Sequence, residues 1–490
     1  MNKVLFITML LTAGFSNAQN SLLHADFWKK NPDVSTVQAE ITKGNSPTEA
    51  NRGNFDPTTI AINNDAPVET IKFLIQQEGN GVNKLTHDGR IYLHWAANKG
   101  NLEVVKFLLE KGANINLTDD KGATPIVFAA SNGQANPALY ELFFKAGNDP
   151  KQKFKNGANL LLLGIPNDKE LKLATFLETK GLSLKDTDDL GNTAFNYAAR
   201  SGDVQFLQKL HKKGIKFDGR ALIVASQGSR GSSATLETYK YLVEDLKLSP
   251  NSLGDNGENV LHNLVKKQKQ EAIIAYFLAK GTDVNHQDKA GTSVLMEATR
   301  SNVDLVKSFI LNVKNVNATN NKGLSALSFA VENGTSEMVD FLLKNGADAN
   351  IIDKNGNNLA YYWIPSYKPV KSGQKEEFQD KFNILTKAGF NFATPQKDGN
   401  TLYHLAVAKN DLNLFTKIQN LGADINALNK ERMTALHKAA LTAKDDVILK
   451  YLVANGAKKD TKTEFDETAY DLAKENESLT ANQVSLDFLK

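Results

Sequence analysis

The chain has 490 residues, of which 58 are Lys or Arg and 55 are Asp or Glu, giving a formal net charge of +3. This length exceeds what one hydrophobic core fills, so the chain is either several globular domains or an array of units that each bury an apolar face on their neighbours. The near-balanced charge excludes nucleic-acid or anionic-membrane binding by charge alone. The lack of cysteine excludes disulfides, thiol nucleophiles and a lipid-attachment cysteine.

Met1, Asn2 and Lys3 make a weakly basic start, Val4 to Phe15 are mostly apolar, and Ser16-Asn17-Ala18 places small residues where a signal peptidase reads. This order predicts a cleavable signal peptide over residues 1–18, with an apolar core too short to span a bilayer. An exported protein of this size without cysteine suits the bacterial periplasm, with release from the cell as the alternative. No other apolar run approaches the roughly 20 residues of a membrane helix, so no membrane insertion is expected.

A glycine then returns along the whole chain, at Gly44, Gly79, Gly112, Gly147, Gly181, Gly214, Gly281, Gly346, Gly389, Gly422 and Gly456. Most steps are 33 to 35 residues, two are close to double, and one is 43. A fixed period of this size marks a stacked repeat protein. Residues 86–118 show the unit most clearly. Asp88-Gly89 is a turn, Leu93 to Asn98 form a short first helix, and Ala96 and Ala97 allow close helix approach. Asn101 caps a second helix in which Leu102, Val105, Leu108 and Leu109 share a face, and Gly112 stops it. Ala113 to Thr118 alternate and lead to the next turn at Asp120-Lys121-Gly122, an arm folded as a hairpin.

These units resemble the ankyrin repeat family, whose core reads Thr-Pro-Leu-His-x-Ala. Thr124-Pro125-Ile126-Val127-Phe128-Ala129-Ala130, Thr401-Leu402-Tyr403-His404-Leu405-Ala406 and Thr434-Ala435-Leu436-His437-Lys438-Ala439-Ala440 carry the likeness. It covers roughly residues 22–475, or about thirteen or fourteen units, and implies an all-α repeat solenoid of helix-turn-helix units with short β-hairpin arms. The expected organisation after the signal is an N-terminal capping repeat at 19–52, an array over 53–464 and a C-terminal capping repeat at 465–490. Gly228 to Ser233 read as a flexible loop within an insertion near 227–236, and a second insertion spans 364–379. Near residues 247 and 313, Lys247-Leu248 and Val313-Lys314 replace the glycine, which predicts intact repeats with altered exits.

No metal helix, phosphate loop, nucleophile elbow or dinucleotide fingerprint is found, so no cofactor, no metal and no enzymatic activity are expected. An unrecognised activity would have to sit in the irregular region around residues 356–395. His94, His262, His404 and His437 occupy equivalent positions a whole repeat or more apart, and in the resembling family this histidine orders the turn by hydrogen bonds. Tyr361-Tyr362-Trp363, where the pattern has small alanines, reads either as core filling or as an anchor for a partner, since Tyr and Trp are enriched in binding hot spots.

The resemblance implies binding of a protein through arm tips and first-helix ends on a concave face. Transferred to this chain, the partner-binding candidates are Arg90, Lys99, Lys121, Arg200, Lys289, Arg300, Lys322, Lys354, Lys397 and Lys409, with Tyr362 and Trp363. The set leans basic, so a weakly acidic protein partner is expected. The expected function is a non-enzymatic scaffold of the bacterial envelope, with an exported effector as the alternative. Some exported bacterial ankyrin proteins are linked to peroxide defence, and the resemblance implies the same link here.

Overall fold

The computed structural model describes residues 20–228, 234–370 and 373–490. The signal at 1–18 lies outside the described residues, as do Ser229 to Ser233 of the first insertion and Lys371 and Ser372 of the second. The described residues hold 28 α-helices, which we group as fourteen consecutive pairs. Repeat 1 is Ala25–Trp28 with Val34–Thr42, and repeat 14 is Ala469–Glu475 with Glu477–Ala481. The chain divides into two compact units, 1–234 and 235–490, and the division falls between the two helices of the seventh pair. Within each unit the chain is a stack of helix-pair repeats, each packed on the next.

Repeat 3 shows why these residues fold as they do. Its first helix, Tyr92–Lys99, buries Tyr92 to Ala97, and the absent side-chain bulk at Ala96 and Ala97 lets the helix lie against its neighbours Pro57–Asn63 and Pro125–Ser131. Its second helix, Leu102–Glu110, starts where the Asn101 side chain accepts the Val104 N–H at 3.1 Å. Val104, Val105 and Leu108 are buried on one face. The helix stops because Gly112 adopts φ +81°, and the Ala113 N–H then closes back on the Leu108 carbonyl at 3.0 Å. All eleven glycines of the series have φ between 72° and 110°.

The two altered exits differ from each other. In repeat 7 the second helix ends in a π turn, Tyr241–Asp245, and Lys247 takes φ +58° in place of glycine. The closing bond there, Leu248 N–H to Leu242 O at 3.1 Å, spans one residue more than in repeat 3, so the π turn absorbs an extra residue. In repeat 9 the second helix is only Val303–Lys307, followed by a 3-10 turn, Ile310–Asn312.

The arms are turns rather than strands. In twelve of them a residue donates its N–H to the carbonyl four positions on, as Thr86 does to Arg90 and Asp353 to Asn357. Only three isolated bridges, such as Thr187 with Thr193, form beside them among the described residues. Each turn begins mostly at Asp or Asn, whose side chain accepts two N–H groups of its own turn. Asp119, for example, accepts from Lys121 and Ala123 at 2.9 Å each.

The four repeat histidines are structural. Each Nε2 lies 2.9–3.0 Å from a carbonyl of the next arm, Ala123, Thr292, Met433 or Thr461, and so must carry the proton. Each Nδ1 accepts the N–H that opens its own helix, from Ile91, Asn259, Thr401 or Thr434. Burial lowers all four pKa values, that of His94 to about 4. The folded state therefore holds fewer protons than the unfolded chain below the ordinary histidine value. Stability from these rings is fully present above about pH 6.5 and is lost as pH falls toward the folded values. The melting temperature should stay level from pH 8 to 6.5 and drop from pH 6.5 to 4.5, and His94→Gln should flatten its share of that drop; thermal melts across this range check it.

Candidate functional site

Consecutive turns hydrogen-bond side by side. The second residue of one turn donates to the third residue of the preceding one, as in Asp120 to Asp88 at 2.9 Å, Lys354 to Lys322 at 3.0 Å and Lys430 to Asp398 at 2.8 Å. This close contact explains Gly323. A side chain there would meet the Lys354 nitrogen at 2.7 Å, and its φ is +82°. Within each unit the bonded tips thus form a backbone ladder on which charged side chains are carried at repeat spacing.

The basic candidates separate into two groups on this ladder. Arg90 is corrected outright. It is 6% exposed, its guanidinium clamps Asp119 at 2.9 and 3.0 Å, and it lies over the Trp95 and Phe128 rings at 5.1 and 4.4 Å, so it is a buried strut under the tip. Lys99 pairs with Asp65 at 2.7 Å, and Lys121, although exposed, pairs with Asp88 at 3.0 Å. Arg200 donates to Gln227 Oε1 at 2.8 Å and is half-buried. Lys289 and Lys409 are exposed but donate to the carbonyls of Asp255 and Pro365.

Arg300, Lys322, Lys354 and Lys397 are exposed and make no ion pair or side-chain hydrogen bond among the described residues. All four lie in repeats 9–12 of the second unit. Repeat 9 starts with Val294–Ala298, and repeat 10 is Ala326–Asn333 with Ser336–Lys344. Repeat 11 is Leu359–Trp363 with Glu377–Lys387, and repeat 12 is Leu402–Val407 with Leu412–Ile418.

Two further residues join this surface. Lys430, exposed and unpaired, continues the row of tip lysines into repeat 13. Ile352, directly before Lys354's turn, is 60% exposed. Beside it the ladder slips by one residue, because Lys397 donates to Gly356, the fourth residue of its turn, at 3.0 Å. Gln396 opens that turn, where Asp353 and Asn429 open the turns on either side. Its longer side chain reaches back to Asn358, accepting the Asn358 N–H and donating to Asn358 Oδ1 at 2.8 Å each. Next to the slip is a cavity of about 340 Å³ lined by Ile352, Phe390 and Pro395 with Lys397.

Tyr362 and Trp363 are corrected as partner anchors. Trp363 is 1% exposed, stacks on Phe378 with ring centres 3.9 Å apart, and donates its indole N–H to the Phe378 carbonyl at 3.0 Å. Tyr362 is buried and its hydroxyl donates to Asp353. The rings fill space because the second insertion folds inward, its last three residues opening the helix Glu377–Lys387. Lys375 and Glu377 hold Ser336 of repeat 10, Glu376 pairs with Lys417 of repeat 12, and Tyr367 donates to Asp411.

Among the described residues, no group of three or more His, Asp or Glu could hold a metal ion, and no helix is long and apolar enough to cross a membrane. Profiles of ankyrin repeats match residues 58–154, 295–363 and 418–473. The chain is 23% identical over 358 residues to alpha-latroinsectotoxin-Lt1a of Latrodectus tredecimguttatus, covering 69% of this chain and 24% of the toxin. It is 24% identical over 321 residues to the E3 ubiquitin-protein ligase KEG of Arabidopsis thaliana, covering 58% of this chain and 18% of the ligase. It is 22% identical over 270 residues to the ankyrin repeat and KH domain-containing protein mask-1 of Caenorhabditis elegans, covering 54% and 10%. The chain thus spans about a quarter or less of each. The repeats are ankyrin repeats, and such arrays are protein-interaction scaffolds.

Trp363→Ala should cost about 3–5 kcal/mol, as for other buried large aromatic residues cut to alanine. The urea midpoint of the full chain checks this.

Proposed function

We propose that the chain is a non-enzymatic scaffold that captures an acidic protein surface on the tips of repeats 10–13. The observation that carries this reading is the row of Lys322, Lys354, Lys397 and Lys430, four exposed cations without counterions on four successive turns. On the tips of the first unit, by contrast, Lys121 is neutralised by its own chain. Ile352 and the cavity at the slipped turn add an apolar anchor within the basic row, the mixture that gives an interface both steering and hold.

The acidity of the partner rests on this charge. Export to the periplasm rests on the Met1–Ala18 pattern, and the peroxide-defence link rests on the family resemblance alone. If the effector alternative holds instead, cell fractionation finds the mature chain in the medium rather than in the periplasmic fraction.

Cross-linking in cells followed by mass spectrometry identifies the partner, and the purified pair then tests the surface. Lys322→Glu with Lys354→Glu and Lys397→Glu should slow association at least tenfold at low salt, a gap that narrows as salt screens the charges, with the melting temperature unchanged. Lys121→Glu, on a neutralised tip, should leave the rate within twofold. Equal rates for the triple variant and the parent at every salt concentration would exclude the basic row as the docking surface.

A further inference from the structure

The second insertion also creates a cleft of its own. A cavity of about 330 Å³ lies between Pro365–Val370 and the end of helix Ala326–Asn333. Its lining includes Lys381, 3% exposed, whose Nζ donates to the Val331 carbonyl at 2.9 Å. An ammonium has three donors, and among the described residues no carboxylate lies within 4.0 Å of this one. Buried charges in proteins are ordinarily paired, because desolvation without a counterion is costly.

The charged neighbours do not supply that counterion. Glu377 accepts the Ser336 N–H and lies 3.4 Å from Lys375, and Lys375 also donates to the Ser336 hydroxyl. Glu332 and Lys368 line the cleft, and Glu332 makes no ion pair with Lys381. Burial, aided by Lys368 and opposed by Glu377, lowers the Lys381 pKa to about 8, so the side chain is mostly a cation at neutral pH. Capping the carbonyl end of helix Ala326–Asn333 explains one of its three donors and does not require an open cavity beside it.

We propose that this cleft binds a small carboxylic acid, its carboxylate pairing with the Lys381 ammonium and its apolar part lying along Pro365, Val370 and Phe378. At about 30 Å³ per water the cavity equals roughly eleven water molecules, space for an acid of about ten heavy atoms. The same chemistry is offered by a free acid or by the C-terminus of a peptide. The tip lysines take no part, so this site and the partner surface stand or fall separately.

The full chain is titrated at pH 7 with benzoate, benzamide, acetyl-glycyl-leucine and its C-terminal amide, by calorimetry and by tryptophan fluorescence, since Trp363 stacks on the cleft residue Phe378. Benzoate should saturate and bind at least tenfold tighter than benzamide. It should also bind about tenfold more weakly at pH 9 than at pH 7, as the ammonium is lost. Lys381→Met should lose at least tenfold. Val370→Trp, at a partly exposed wall, should fill the cleft and lose as much without lowering the melting temperature. Tight binding of the peptide acid but not its amide identifies a chain terminus as the source, and binding of benzoate alone identifies a free acid. Equal response to acid and amide, no saturable binding of either acid, or unchanged binding in Val370→Trp overturns the proposal.

Discussion

The constraint on which the stack of the second unit depends is the carbonyl left open where a second helix ends. A left-handed glycine turns the chain there and exposes that carbonyl to the preceding repeat. Asn317 meets it in repeat 10. Its Nδ2 donates to the Gly346 carbonyl at 2.9 Å while its Oδ1 accepts the Asp348 N–H at 2.8 Å. Asn251, Asn285 and Asn426 do the same at Gly281, Asn312 and Gly456. One side chain thus satisfies an orphan acceptor and donor of its neighbour, so the turn conformation and the stacking register are set together. The histidines repeat the principle at the other end of the unit, each joining the start of its own helix to the next arm.

This explains how much of the fold was legible in the chain. Glycine, asparagine and histidine recur because backbone groups that need partners recur, so period and residue type together report the turn geometry. The exits at 247 and 313 were less legible. Lys247 can occupy the left-handed region at some cost, and only the π turn before it shows how the extra residue is absorbed. Hairpin arms were expected from alternation, but the turns are held chiefly by their own Asp and Asn side chains, and few inter-strand bridges are needed.

The interaction surface was legible only in part, and the reason is periodicity itself. Lys121 and Asp88 lie 33 residues apart, Lys99 and Asp65 lie 34 apart, and Arg90 and Asp119 lie 29 apart, so partners about one repeat away cancel charges that look free within a unit. Scanning for an acid one period from each basic residue would have found these pairs. The same scan would have retained the tips where Asp or Asn is already occupied by its own turn, as at Asp353 and Asn320. Tyr362 and Trp363 needed different information, because their burial depends on Phe378, which arrives only by the inward path of the insertion.

The insertion shows how a departure from the period acquires a role without breaking the stack. Sixteen residues at a helix-to-helix turn would cost little if they were merely a solvated loop. Here they are bound to Ser336 and Asp411 on the repeats to either side and contribute an aromatic ring to the core. Such fastening limits relative motion of repeats 10 to 12, and those are the repeats whose unpaired lysines and slipped turn stand together. Charges held on a rigid frame lose less freedom when a partner docks than charges on a frame that must first be ordered. The slip at Gln396 follows the same logic. It keeps the hydrogen bonds of the ladder while shifting one tip by a residue, so a gap opens beside Ile352 in a row whose backbone stays satisfied.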